Sequence, residues 1–147
     1  MRAVVQRVSR ARVVVDGETV ADIGAGLCVL VGFDAQDAES EVARFARKVA
    51  NLRVFEDENG KMMSSVLEAN GEALVVSEFT LIADSKRQKG TRPDFSKAAR
   101  PEKAEPLYEL FCQELRNMGV PAQTGCFRAR MQVELVNDGP VTIVLET

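Results

Sequence analysis

The period of apolar and polar positions changes several times along the chain, and each change marks an element. Residues 2–8, Arg-Ala-Val-Val-Gln-Arg-Val, read as a strand. Residues 11–15 and 18–23 make a strand pair around Asp16-Gly17, a dipeptide suited to a tight hairpin. After Gly24-Ala25-Gly26 the run Leu-Cys-Val-Leu-Val at 27–31 has no polar position, as expected of a strand covered on both faces. Over 38–52 the period becomes helical. Val42, Phe45, Ala46, Val49 and Leu52 share one stripe, and Arg44, Arg47 and Lys48 fall mostly off it. Arg53–Glu56 predicts a short strand, and Asp57-Glu58-Asn59-Gly60 has turn chemistry. A further buried strand, Ala73–Val76, leads into Ser77-Glu78-Phe79-Thr80-Leu81.

Residues 84–100 keep no period and read as a loop, long enough inside one domain to point to binding. A second helix is predicted over 102–118, with Leu107, Leu110, Phe111, Leu115 and Met118 inward and Gly119 and Pro121 ending it. Pro106 means that either the regular helix starts there or its first turns are bent. Residues 127–136 and 141–146 read as two strands around Asn137-Asp138-Gly139-Pro140. No repeat or linker interrupts the chain. Its 147 residues suit one domain, 1–147, of mixed α/β architecture with two helices.

Composition narrows the chemistry. The chain has no histidine, which removes Ser-His, Cys-His and His-metal mechanisms together. Cys28, Cys112 and Cys126 are far apart and form no Cys-x-x-Cys pair, so neither a zinc site nor a disulfide framework is expected. We therefore expect no metal and no cofactor. No apolar run approaches the roughly 20 residues of a membrane span, and the N-terminus has no signal-peptide core. A cytoplasmic protein without a membrane partner is the expectation. Net charge is −3, but residues 1–15 and 84–100 each carry +4, leaving −11 on the remainder. Two basic segments on an acidic body fit either a local phosphate-binding face or a solvated loop and an Arg-guarded edge strand.

Three groups of residues could carry function. Ser77 and Thr80 are hydroxyl nucleophile candidates, yet neither has a His or nearby Lys as proton acceptor, and three residues apart on a strand they point to opposite faces. Hydroxyls bonding backbone at a strand end are the alternative. Gly139-Pro140 reads as a turn, but a cis bond there would aim two successive carbonyl oxygens the same way, an acceptor site for an ammonium group. Phe127 and Met131, four apart, would share a face of a strand and line either an apolar slot for a base or the core.

The opening Met-Arg-Ala-Val-Val-Gln-Arg-Val-Ser-Arg-Ala, Leu-Val-Val-Ser-Glu-Phe-Thr-Leu at 74–81, Arg92-Pro93 with Phe95-Ser96, and Asn137-Asp138-Gly139-Pro140-Val141-Thr142 together resemble the D-aminoacyl-tRNA deacylase family, also called D-tyrosyl-tRNA deacylases. The resemblance runs in order over the whole chain. It implies a homodimer of three-layer α/β/β fold, with mixed sheets and two main helices, that binds the aminoacylated 3′ end of tRNA, not DNA. The activity implied is hydrolysis of the ester of D-aminoacyl-tRNA, and of glycine mischarged on tRNA. Ser77, Glu78, Phe79 and Thr80 take catalytic positions by this resemblance, and Leu81 extends the pocket wall. It further implies that Gly139 and Pro140 would hold the substrate's α-amino group across the dimer interface, that Arg7 would steady them, and that Phe127 and Met131 would flank the adenine. The same resemblance lets the 2′-hydroxyl of the terminal ribose assist catalysis, with backbone N–H groups near Phe79 and Thr80 as oxyanion donors.

The chain departs from the family pattern at three positions. Glu78 stands where the family usually has Gln, so a group that donates and accepts is replaced by one that only accepts. Arg128 and Arg130 replace a small residue and an Asp, either pairing with Glu78 or adding phosphate contacts. The Lys- and Arg-rich loop at 84–91 reads as an RNA-backbone contact. Glu78 and the altered 128–130 segment leave one other reading, a weakened paralogue that binds a tRNA or RNA end without efficient turnover. A dimeric structural protein whose Gly-Pro turn is fortuitous is a third, which the full-length likeness disfavours.

Overall fold

The computed structural model describes residues 1–147, and its elements follow in the order β1 (Arg2–Val15), β2 (Glu18–Ile23), β3 (Gly26–Gly32), α1 (Glu39–Ala50), β4 (Phe55–Glu56), β5 (Met62–Ser64), β6 (Glu72–Ser77), a 3₁₀ turn (Phe79–Ile82), α2 (Pro101–Asn117), β7 (Ala122–Thr124) and β8 (Gln132–Glu146). The segments at 2–8 and 11–15 are one strand. Its inward face changes midway: Ala3 and Val5 enter one core and Val8, Ala11 and Val13 another, and irregular pairing around Arg7 and Ser9 accomplishes the switch. A strand alternates strictly, so only irregularities of this kind let it serve two layers.

One edge of β1 is shared, with Arg2–Val8 pairing β3 and Ala11–Val15 pairing β2, while β8 pairs both halves antiparallel. β3, β6 and β7 continue the sheet in parallel. The Gln123 side chain exchanges two 2.8 Å hydrogen bonds with the backbone of Asp22, tying β2 to β7 and nearly closing the sheet. The apolar run at 27–31 is covered on both faces as its pattern predicts. Leu27, Val29 and Val31 meet the helices with Ala73 and Val75, while Cys28 meets Leu74 and Val76 inside the folded sheet. Helices, central sheet and folded-over sheet make the three layers.

Both helices form where the period predicts. α1 has Glu39 and Glu41 in its first turn and Arg47 and Lys48 in its last, complementing the helix dipole, and buries Val42, Phe45 and Val49. α2 starts at Pro101, a first-turn position where the missing N–H costs nothing, and runs on through Pro106. Phe111, completely buried, meets Phe45 across the helix pair at 6.4 Å between ring centroids.

Two sequence expectations need correction. Asn137-Asp138-Gly139-Pro140 is no hairpin turn, because the segments on both sides of it pair with β1. Between the Gln6–Thr142 and Val8–Asn137 pairs, β1 spends only Arg7 whereas β8 spends Asp138–Val141, which bulges outward. Residues 127–131, expected in a strand, form a turn instead, and β8 begins at Gln132. The short strands β5 and β7 went unpredicted; three residues are too few to show alternation.

Candidate active site

A cleft of about 830 Å³ opens where β6 gives way to the 3₁₀ turn. Leu30, Val76, Val133 and Leu135 line it from the sheet and Met131 from just before β8, Ser77, Glu78 and Phe79 from the strand-to-turn junction, Ala99 from just before α2, and Pro101 and Ala104 from its first turn. Phe127, Arg128 and Ala129 add a further wall. The junction depends on a close approach. The Glu78 N–H donates to the Val31 carbonyl at 2.8 Å, and a Cβ at Gly32 would lie 2.6 Å from the Glu78 carbonyl oxygen. Only glycine lets β3 end there.

Past Ser77 the chain is not extended, so the expectation that Ser77 and Thr80 sit on opposite faces of a strand does not apply. Thr80 lies in the 3₁₀ turn, and Glu78 caps it. One carboxylate oxygen of Glu78, Oε1, accepts the Thr80 N–H at 3.2 Å and also the Thr80 hydroxyl. The first N–H groups of any helical turn lack helical acceptors, so this junction is a natural donor site. Phe79 is 56% exposed and meets Phe95 of the basic loop edge-on at 5.3 Å. Thr80 and Leu81 lie beside the cleft without lining it, and the Leu81 carbonyl accepts from Arg2.

Phe127 and Met131 do share the cleft, brought there by the turn rather than by a strand. Phe127 stacks on Tyr108 at 6.0 Å, and the buried Tyr108 hydroxyl donates to the Val75 carbonyl at 2.6 Å. Burial raises the Tyr108 pKa. It also pushes the Cys28 and Cys112 thiols up to about 11 and about 12, so neither is a nucleophile near neutral pH. No three His, Cys, Asp or Glu side chains converge on a point that could hold a metal. Of the two roles open to Arg128 and Arg130, the ion pair with Glu78 is not formed; neither arginine joins any of the chain's ion pairs.

Gly139 and Pro140 lie elsewhere, exposed on the β8 bulge, and the bond between them is cis. Arg7, nearly buried, reaches the bulge from β1. Its Nε donates to the Asp138 carbonyl at 2.9 Å, and an amino group of the same guanidinium donates to the Val54 carbonyl at 2.7 Å. Asn137 Oδ1 closes the neck by accepting the Val141 N–H at 2.9 Å. Within one chain, then, Ser77, Glu78, Phe79, Phe127 and Met131 meet in a cleft, and Arg7, Gly139 and Pro140 form a separate constellation. Glu78 is a candidate by sequence, but its contact with Thr80 shows only once the chain turns. The wall at Ala99, Pro101 and Ala104 was missed, because these residues carry no chemical signal.

Known proteins resemble this chain over essentially its whole length. Residues 4–146 match the model of the family described as D-Tyr-tRNA(Tyr) deacylase. A D-aminoacyl-tRNA deacylase from Symbiobacterium thermophilum is 56% identical over 147 residues, covering 100% of this chain and 96% of the relative. One from Brevibacillus brevis is 55% identical over the full length of both. Among solved structures, a "c-Myc DNA Unwinding Element Binding Protein" superposes with TM-score 0.93 at 48% identity, over 100% of this chain and 99% of that one. A "probable eukaryotic D-amino acid tRNA deacylase" shares the fold at TM-score 0.83 and 16% identity, over 98% and 97% of the two chains.

Proposed function

The chain belongs to the D-Tyr-tRNA(Tyr) deacylase family and is a D-aminoacyl-tRNA deacylase, a hydrolase; from that premise we propose how its residues divide the reaction. The observation that carries the reading is the 3₁₀ turn opening onto an apolar cleft, which sets backbone N–H groups beside a slot large enough to admit a nucleoside. The terminal adenine of tRNA enters between Phe127 and Met131, and the ester carbonyl is directed to the N–H groups of Phe79 and Thr80. As the tetrahedral intermediate forms, its oxyanion takes those hydrogen bonds, which strengthen as charge develops. An aminoacyl ester is already activated, and the neighbouring ribose 2′-hydroxyl assists proton transfer, so orientation replaces the absent histidine. Ser77 and the Glu78 side chain shape the entrance, and Leu81 backs the turn.

The α-ammonium is held by the carbonyl oxygens of Gly139 and Pro140. These lie on an exposed bulge away from the chain's own cleft, so the site is completed by a second copy, each bulge entering the other's cleft. The outer edge of β8 carries no partner strand and exposes Val136 and Val144, a surface able to receive that copy. With ammonium and carbonyl both fixed, the Cα has two directions left. A D side chain points to solvent and an L side chain strikes the wall, while glycine, having none, passes. Lys86, Arg87, Lys89 and Arg92 contact the tRNA backbone, where charge matters more than sequence. The working place of such an enzyme is the cytoplasm, where charged tRNA is found.

Purified protein incubated with D-Tyr-tRNA, L-Tyr-tRNA and Gly-tRNA tests this. Release from the first and third with L-Tyr retained is expected. Equal cleavage of both tyrosyl enantiomers would overturn the chirality filter. Salt-dependent binding without release would favour the weakened RNA-end binding module, for which Glu78 and the altered segment at Arg128 and Arg130 are the supporting observations.

A further inference from the structure

The turn that carries Phe127 holds a residue the reaction above does not use. The Ala129 N–H donates to the Cys126 carbonyl at 3.1 Å, closing a four-residue turn, and Arg128 occupies its third position with φ +66°. That position favours glycine, because a Cβ is disfavoured at positive φ. The chain nevertheless places there a long cation that is exposed, lines the cleft and forms no ion pair. The obvious internal partner is directed elsewhere, since Oε1 of Glu78 takes both Thr80 donors and forms no ion pair with Arg128. The base of the turn is fixed by the stacking of Phe127 on Tyr108. Arg128 is therefore delivered to the cleft on a turn anchored by that stacking.

We propose that Arg128 binds the phosphodiester joining the substrate's terminal adenosine to the nucleotide before it. This assignment rests on the deacylase reading and adds an RNA-backbone subsite to it. With the adenine between Phe127 and Met131, the chain of the RNA leaves past residue 128, and its nearest anionic group is that phosphate. A guanidinium matches two phosphate oxygens with a planar pair of N–H donors, and Arg130, also exposed and unpaired, adds to the local positive potential.

The test uses D-tyrosyl esters of adenosine, of the dinucleotide CpA, and of CpA with an uncharged methylphosphonate link. The whole protein should hydrolyse the CpA ester with kcat/KM about tenfold above the other two, the effect expected for one charge-assisted contact. Arg128→Gly suits the turn and should fold with an undiminished Tm. In that variant the preference for CpA should vanish, and cleavage of charged tRNA should lose about one unit of salt dependence. A CpA preference that survives in Arg128→Gly, or a methylphosphonate ester cleaved as fast as CpA, would overturn the assignment while leaving the deacylase reading standing. A protein that cleaves none of the esters, nor D-Tyr-tRNA, would overturn both.

Discussion

Glu78 Oε1 bonds the backbone N–H and the hydroxyl of Thr80 at once. The carboxylate thus occupies a donor proposed for the substrate's oxyanion, and it places negative charge where, on that proposal, negative charge develops. Glu78→Gln removes that charge and weakens the grip on the N–H. We expect kcat to rise about tenfold, a fraction of what one oxyanion donor is worth. Single-turnover deacylation of D-Tyr-tRNA measures it, and an unchanged or lower rate would mean the carboxylate steps aside without cost.

The same contact bears on the nucleophile. The Thr80 hydroxyl is committed to a carboxylate, a weak base near neutral pH, and no stronger one stands nearby. Thr80→Val should therefore retain activity within about fivefold, whereas loss of a covalent nucleophile costs several orders of magnitude. Burst kinetics on D-Tyr-tRNA separate the two, since an acyl-enzyme would show a burst that substrate-assisted hydrolysis lacks.

Arg7 connects the Val54 carbonyl to the Asp138 carbonyl through the interior. Arg7→Ala leaves the buried Val54 carbonyl without its donor, which should lower stability by about 1–3 kcal/mol in urea denaturation. It also releases the bulge proposed to grip the ammonium. Selectivity should suffer more than turnover: the ratio of D-Tyr-tRNA to L-Tyr-tRNA cleavage is expected to fall while kcat for the D substrate changes less.

At Gly139 a methyl group would sit 2.8 Å from Val141 Cγ2 and 2.9 Å from the Val141 nitrogen, on a residue with φ +141°. Gly139→Ala must displace the bulge. Because the bulge is exposed, the thermal midpoint should shift by only a few degrees, as expected for about 1 kcal/mol. Deacylation should fall about a hundredfold or more, as expected when a reacting group is misplaced by about an ångström. A variant as active as wild type would remove this segment from the site.

Alkaline pH should weaken the fold through its buried thiols. Cys28 and Cys112 are raised by burial from an ordinary 9.0 to about 11 and about 12. Below pH 9 each is protonated whether the chain is folded or not, and its packing is fully retained. Above that, the unfolded chain loses protons that the folded chain keeps, so stability drops by up to about 1.4 kcal/mol per pH unit for each thiol. The loss from Cys28 levels off above about 11 and that from Cys112 above about 12. Urea titrations between pH 8 and 10.5 under reducing conditions should show the decline, and Cys28→Ala with Cys112→Ala should flatten it.

Much of the architecture could be read from residue order because the controlling physics is local. An unbroken apolar run at 27–31 has no face to offer water, so it had to lie between two layers. The stripe Val42, Phe45, Val49 fits only a helix, and Asp16-Gly17 suits only a tight turn. The site was legible chiefly through likeness of its motifs to a family; residue types alone left Phe127 and Met131 divided between core and slot.

What the chain order left open were relations between distant segments. Asn137-Asp138-Gly139-Pro140 has the chemistry of a hairpin turn, and only the pairing of both its flanks with β1 makes it a bulge. Arg128 looks like any surface cation until the turn around it sets its φ and turns it toward the cleft. Local pattern determined which segments bury apolar surface and with what period. Tertiary structure alone decided which of them face one another, because hydrogen-bond register and side-chain contact across more than a hundred residues have no local cause.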